Sequence, residues 1–223
     1  MSEMRPRGLW LAAAIMALAC TACGTTASVP SVAPPTPSPT PAGGEHRFRV
    51  PGLPTEVVAV LPPGWQPDGP MMTRTSEDAA TPISVSVWVV KEVYSDPCQW
   101  AGTEQSVGRS AARLASALEG QVLRHARQTT VSIGENTARM VTMSVPDDVD
   151  LASCDEGEFR SWAPARGREA RAHEGPDQVD EMYVIALGKK RSVVVDASYF
   201  PDASSEELAE IHRIVASLEF GRR

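Results

Sequence analysis

No apolar run in this chain is long enough to cross a bilayer. The longest, Leu9–Ala19, has 11 residues, against the ~20 a spanning helix needs. Nucleophile motifs are missing as well: there is no G-x-S-x-G and no S-x-x-K, so no serine is marked as a hydrolase nucleophile. The absence of a Walker loop and of G-x-G-x-x-G leaves nucleotides without a cradle. Zinc wants four ligands, commonly in close pairs, yet beyond residue 23 no C-x-x-C or H-x-x-x-H occurs. The four histidines, at 46, 125, 173 and 212, are scattered. His173, between Arg171 and Glu174, is expected to be exposed, and His212 to sit at the edge of the last helix's apolar stripe. These absences assign no catalytic residue, no metal ligand and no cofactor, and the expectation is a protein that is not an enzyme.

What is present begins with a leader. Arg5 and Arg7 precede the short apolar run, and small residues close it, the pattern of a secretory signal peptide over residues 1–19. The run ends in cysteine. Ala17-Leu18-Ala19-Cys20 resembles the lipobox of bacterial lipoproteins. That resemblance implies cleavage before Cys20 and lipid on its thiol, with Cys23 the alternative site. Two or three acyl chains, at ~0.8 kcal/mol per buried CH₂, hold a protein firmly on a membrane. The implied residence is the extracytoplasmic face of the cell membrane.

Residues 24–44 contain six prolines and no apolar residue larger than valine. Such a stretch cannot bury a core, and its prolines favour an extended chain of ~3.1 Å per residue. Residues 20–44 therefore read as a Pro/Ser/Thr-rich disordered tether. Residues 45–223 are long enough for one domain with a real core. Removing Arg5, Arg7 and Glu3 from the 21 basic and 28 acidic residues leaves 19 and 27, a net charge of −8. An acidic domain is repelled by phosphate backbones, which argues against a nucleic-acid partner.

Within the domain, Glu56–Leu61 reads as a strand, and Ile83–Tyr94 as one long strand with alternating valines. A helix is expected from an N-cap at Ser106 to a stop at Gly120, buried through Val107, Ala111, Leu114, Ala115 and Leu118. Strands follow at 129–133 and 138–145 around Gly134-Glu135-Asn136. After an irregular excursion over 146–176, strands at 181–187 and 192–200 flank Gly188-Lys189-Lys190. Ser204 and Glu207 form a capping box that opens a final helix. Short turns between strands imply antiparallel pairing, and amphipathic helices need a sheet to cover. The fold class is α+β: a mainly antiparallel sheet packed with two or more helices.

Apart from Cys20 and Cys23 at the anchor, Cys98 and Cys154 are the only cysteines. In an oxidising compartment such a pair reads as a disulfide, with two separate thiols the alternative. Trp100 and Trp162 are expected to pack on it; Trp65, Trp100 and Trp162 are also candidates for a ligand pocket. Asp196 lies amid valines, where a carboxylate is disfavoured unless its face is wet or its charge is paired; the other reading makes it a pocket wall. The acidic loop Asp147, Asp148, Asp150, Asp155, Glu156 and Glu158 is expected to be balanced by the basic run Arg160, Arg166, Arg168 and Arg171 rather than to bind calcium.

The Pro62-Pro63-Gly64-Trp65 turn and the closing strand–helix unit are similar to PsbP-like folds and to LpqN-type actinobacterial lipoproteins. Asp96-Pro97-Cys98-Gln99-Trp100, with distant Cys154, resembles a domain of exported actinobacterial proteins that often carry histidine where Gln99 stands. The resemblance implies a PsbP-like α/β sandwich and a non-enzymatic envelope protein. The resulting expectation is a lipid-anchored binding or interaction module for an unknown envelope small molecule or protein. A structural or assembly factor is the alternative, and an envelope hydrolase a third. Cys20→Ala is expected to abolish palmitate labelling and globomycin sensitivity; a freely soluble, unlabelled wild-type chain overturns the anchor.

Overall fold

The computed structural model describes residues 43–74, 82–164, 171–173, 175–188 and 191–221. Cys20, Cys23 and the tether up to residue 42 lie outside the described residues, as do Arg166 and Arg168. All the described residues belong to one compact unit, Pro39–Arg223. Its strands are β1 (Gly44–Arg49), β2 (Glu56–Leu61), β3 (Gln66–Asp68), β4 (Met71–Arg74), β5 (Ile83–Trp88), β6 (Val90–Tyr94), β7 (Glu104–Ser106), β8 (Arg127–Ile133), β9 (Asn136–Ser144), β10 (Trp162–Pro164), β11 (Val179–Ala186), β12 (Ser192–Tyr199) and β13 (Glu219–Phe220). The helices are α1 (Ala111–Glu119) and α2 (Ser205–Ser217). The fold is α+β, with every named strand pair antiparallel.

A seven-stranded sheet, ordered β3-β4-β5-β12-β11-β9-β8, forms the middle. Side chains alternate across a strand, and here both faces are covered. Val193, Val195 and Ala197 of β12 join α2 residues Ile211, Ile214 and Val215, together with β2, in one core. Val194 of β12 and Met182 and Val184 of β11 join α1 residues Leu114 and Leu118 in another. This two-sided burial explains why β12 reads as a run of valines rather than as an alternating strand. A three-stranded sheet, β1-β2-β13, lies on the α2 side, and a second, β10-β6-β7, on the α1 side.

The expected long strand 83–94 is two strands. β5 sits in the central sheet and β6 in the β10-β6-β7 sheet, with Val89 between them. Val85 and Val87 therefore enter the α2-side core, whereas Val90 and Val93 enter the α1-side core. Helix α1 begins later than expected, capped by Ser110 rather than Ser106. Gly108, at φ +63°, turns the chain left-handed where a helix would have to run. Gly120 does cap its end, and α2 has its Ser204–Glu207 capping box. The β8–β9 turn is a two-residue hairpin, Gly134-Glu135, closed by the Ile133–Asn136 pair. Gly44 already belongs to β1, so the tether ends within the sheet.

The excursion is tied down by a Cys98–Cys154 disulfide. Backbone bonds from Asp155 to Cys98 (2.8 Å) and from Arg160 to Pro97 (2.8 Å) zip the two loops together. Among the described residues no helix is long and apolar enough to cross a membrane. Opening the 56-residue separation closed by the disulfide removes a constraint worth ~4 kcal/mol on the chain-entropy model. A Cys98→Ser, Cys154→Ser chain is expected to lose a comparable amount in urea titration; an unchanged midpoint refutes a structural role.

Candidate functional site

Charge is concentrated inside the molecule, at one end of the α1-side face. β11 and β12 pair in a register that sets Asp180 opposite Ser198 and Met182 opposite Asp196. Asp180, Asp196 and Ser198 thus share a face with Met182 and Val194 but lie beyond the apolar part of it. Arg124, just past α1, and Ser161, Arg171 and His173, from the excursion, close over them. All seven are buried.

Asp180 is the hub. Its Oδ2 accepts from Arg124 Nη2 at 2.6 Å and faces His173 Nδ1 at 3.0 Å. Its Oδ1 accepts from Ser198 Oγ and Gln178 Nε2, both at 2.9 Å. Arg171 donates through Nε to Asp196 Oδ2 and through Nη2 to Ser198 Oγ, each at 2.7 Å. Arg124 Nη1 reaches Ser161 Oγ at 2.6 Å and His173 Nε2 at 3.1 Å. A guanidinium can only donate, so His173 Nε2 accepts, its proton is on Nδ1, and the ring is neutral. Two guanidinium cations and two carboxylates then balance to zero, as a buried cluster requires.

Burial works against the Asp180 anion, but the donors that converge on it, His173 first and then the guanidinium groups, hold its carboxyl far below the usual range. Burial lowers His173 to about 4, the attraction of Asp180 only partly opposing it. Burial pushes Asp196 up to about 6, despite Arg171 alongside. Burial also lowers Arg124, with Asp180 opposing.

Within this cluster Ser161 Oγ stands 2.9 Å from His173 Nε2, and His173 Nδ1 stands 3.0 Å from Asp180 Oδ2. Nucleophile, base and orienter are in the relation that defines a Ser-His-Asp triad. Two features silence it. Ser161 and Asp180 are 0% exposed, and the Arg124 guanidinium occupies both Ser161 Oγ and the lone pair of His173. A base already accepting from a cation takes up a proton poorly. The cluster can clamp the excursion to the sheet; as arranged, it cannot receive a substrate.

The other predicted residues are dispersed. Asp196 is paired with Arg171, the second of its expected alternatives to an open pocket wall. Trp65 is buried on the α2 side and donates to Glu210 Oε2 at 2.9 Å; Arg74 pairs with the same carboxylate. Trp162 is fully buried, edge-on to Trp88. Neither Trp100 nor Trp162 covers the disulfide as expected: Val145 and Phe159 do. Trp100 instead donates to the Asp155 carbonyl at 3.1 Å and carries the Arg160 guanidinium 3.9 Å above its ring. The acidic loop is balanced in part, Glu156 and Glu158 by Arg160, while Asp150 and Asp155 accept backbone N–H groups. Arg171 departs from that expectation because its partners lie in the sheet. His173 is buried rather than exposed. His212 does sit at the edge of the α2 stripe, exposed and 3.0 Å from Glu181. Among the described residues no group of three His, Cys, Asp or Glu side chains could hold a metal ion.

Open space lies elsewhere. A groove of about 960 Å³ runs between the β1-β2-β13 sheet and the turns at Gly134 and Gly188. Its apolar lining is Leu53, Val58, Leu187, Leu218 and Phe220, with Arg47, Glu135, Arg191 and Glu219 as its charges. A depression of about 290 Å³ shares Leu53 and Arg191 with it, and a third, about 470 Å³, lies beside α1. Trp65, Trp100, Trp162 and Asp196 line none of the three.

No protein-family model matches this chain, and no curated protein matches it. A crystal structure from Bacteroides thetaiotaomicron VPI-5482 is similar at a TM-score of 0.37 and 13% identity, over 74% of this chain and 45% of that one. The chain thus spans less than half of that protein's length, and a likeness this remote carries no argument.

Neutral His173 has a measurable consequence. Between its ordinary value of 6.5 and about 4, the unfolded chain takes a proton that the folded chain refuses, so stability falls as pH drops through that window. Asp196 acts in the opposite sense: between about 6 and 3.8 the folded chain takes the proton first, which offsets part of the loss. His173→Gln is expected to flatten or reverse the acid slope in denaturant titrations at pH 7, 6, 5 and 4, and Asp196→Asn to steepen it. Identical slopes in all three chains refute the assignment.

Proposed function

We propose that this chain is a lipid-anchored, extracytoplasmic binding module, and that the large groove is where it takes its ligand. The observation that carries the reading is a contrast. The chemically capable side chains are sealed in a neutral cluster, while a groove of about 960 Å³ lies open and lined by half-buried apolar side chains. That volume is in the range of small-molecule sites. The disulfide fits an oxidising compartment, the leader fits a lipid anchor at Cys20, and the net charge of −8 disfavours nucleic acid. The similarity to PsbP-like and LpqN-type exported proteins points the same way. The partners on this reading are the membrane, through the N-terminal lipid, and one envelope small molecule or protein.

The Ser161-His173-Asp180 geometry favours one second reading, a hydrolase whose site opens. It needs Arg124 to withdraw from Ser161. Fluorophosphonate treatment of the full chain distinguishes the two: the binding reading expects no adduct on Ser161, and stoichiometric labelling favours the hydrolase.

The binding reading is tested on the full chain purified from its own membrane. Native mass spectrometry is expected to find a retained small molecule, whose removal lowers Tm because binding stabilises the folded state. Phe220→Asp, which places a charge on the groove wall, is expected to abolish retention at a temperature where the stripped variant is still folded by circular dichroism. Equal retention by wild type and variant overturns the groove assignment.

A further inference from the structure

The groove and its neighbouring depression differ in charge in a way that specifies a ligand. Four side chains that line the groove, Leu53, Val58, Leu187 and Phe220, are half-buried, so each leaves apolar surface in contact with water. Covering such surface is favourable by roughly 25 cal/mol per Å². The large groove is balanced in sign, with Arg47 and Arg191 against Glu135 and Glu219. The adjoining depression is not: among the described residues its lining charges are Arg109 and Arg191, accompanied by Gly52, Leu53, Gly108 and Ser192, and none is acidic.

Those two arginines come from distant parts of the chain. Arg109 stands in the turn that Gly108 forces just ahead of α1, at φ +63°. Arg191 opens the way into β12, where its carbonyl accepts from Leu187 N–H at 2.9 Å and closes the β11–β12 hairpin. Both are exposed, and neither forms an ion pair among the described residues. In a domain of net charge −8, a recess whose described lining carries two guanidinium groups and no carboxylate runs against the overall field. Guanidinium groups match the geometry of carboxylate and phosphate oxygens. Because Arg191 and Leu53 belong to both recesses, a single ligand that reaches across them meets cations at one end and apolar side chains along its body.

We propose that the composite recess binds an amphipathic anion, with its carboxylate or phosphate group between Arg109 and Arg191 and its apolar body in the groove along Leu53, Leu187 and Phe220. This rests on the groove being the ligand site, and it adds the class of ligand. A neutral apolar molecule leaves the two arginines unused. A bare inorganic anion leaves the apolar walls wet. Only a molecule with both parts uses both recesses.

The test uses the full chain with Cys20→Ser and Cys23→Ser, which keeps acyl groups out of the assay. Monododecyl phosphate, laurate, the neutral dodecyl maltoside and inorganic phosphate are titrated separately, the amphiphiles below their critical micelle concentrations. Affinity is read by calorimetry and by Tm. Monododecyl phosphate or laurate is expected to bind at least about tenfold more tightly than either of the other two, a difference of about 1.4 kcal/mol. Arg109→Glu with Arg191→Glu is expected to remove that preference while leaving the Tm of the free protein unchanged. Arg127→Glu, an exposed arginine on β8, serves as the charge control and is expected to leave binding intact. Phosphate binding as tightly as its dodecyl ester overturns the amphipathic part. Dodecyl maltoside binding equally, with no effect of charge reversal, overturns the anionic part but leaves the groove as a site. No binding by any of the four overturns both.

Discussion

The Asp180 carboxylate is the interaction on which much of the α1 side of this domain depends. It accepts from Arg124, His173, Gln178 and Ser198, which come from three separate parts of the chain. Through Ser198 it is joined to Arg171 and Asp196. An ionised carboxylate deep in a fold is tolerable only when it is paired and its lone pairs are filled. Removing any one of these partners leaves charge or a polar atom stranded, at a cost usually of several kcal/mol. The excursion over 146–176 buries large apolar side chains at two places, Trp162 in the α1-side core and Phe159 beside the disulfide. The covalent bridge and the ionic cluster add two further points of attachment.

The arrangement of the central sheet dictates where anything can bind. Both faces are covered, by α2 with β1-β2-β13 on one side and by α1 with β10-β6-β7 on the other. Side chains in the middle of β11 and β12 are therefore committed to packing, whatever their chemistry. Space is left where the layers end, at the hairpin turns and along the short strand β13. The large groove is found there, walled by turns that contain Gly134 and Gly188. On the binding reading, a ligand held at the ends of the layers would leave the core undisturbed as it came or went.

Much of the fold was legible in the sequence, and the reasons are local. The capping box at Ser204, the stop at Gly120 and the Gly134-Glu135 turn are short-range signals that tertiary context did not override. The break at Val89 was not legible, because valines alternate on both sides of it and the change of sheet reverses which face is buried. Short strands such as β3 and β13 carry too few residues for a period to show. The clamp was half visible. Asp196 stood out among valines, and its pairing was one of the three alternatives that its position allowed. Its partners could not be found, since Arg171 and His173 sit in a polar stretch that looks solvated, and Arg124 follows a helix stop where exposed arginines are ordinary. What buries them is the return of the excursion across the sheet, a long-range event with no local mark. Asp180 of β11 and Asp196 of β12, inward-facing acids on neighbouring strands rich in apolar residues, were the one signal that could have been joined.

The same geometry can serve opposite ends, and here one residue decides between them. A serine, a neutral histidine and a buried aspartate in line provide a polarised hydroxyl when substrate can reach the serine. Arg124 takes that place. Its Nη1 fills the space in front of Ser161 and His173, and its Nη2 draws on the carboxylate that would otherwise orient the imidazole alone. With the cation present, the aspartate is neutralised, the histidine is driven to its neutral form, and the serine hydroxyl turns inward to satisfy it. Each step follows from the need to leave no buried charge unpaired and no buried donor idle. A triad-like alignment can therefore arise as a solution to a packing problem, and the accessibility of the serine, more than the distances within the triad, separates a clamp from a catalyst.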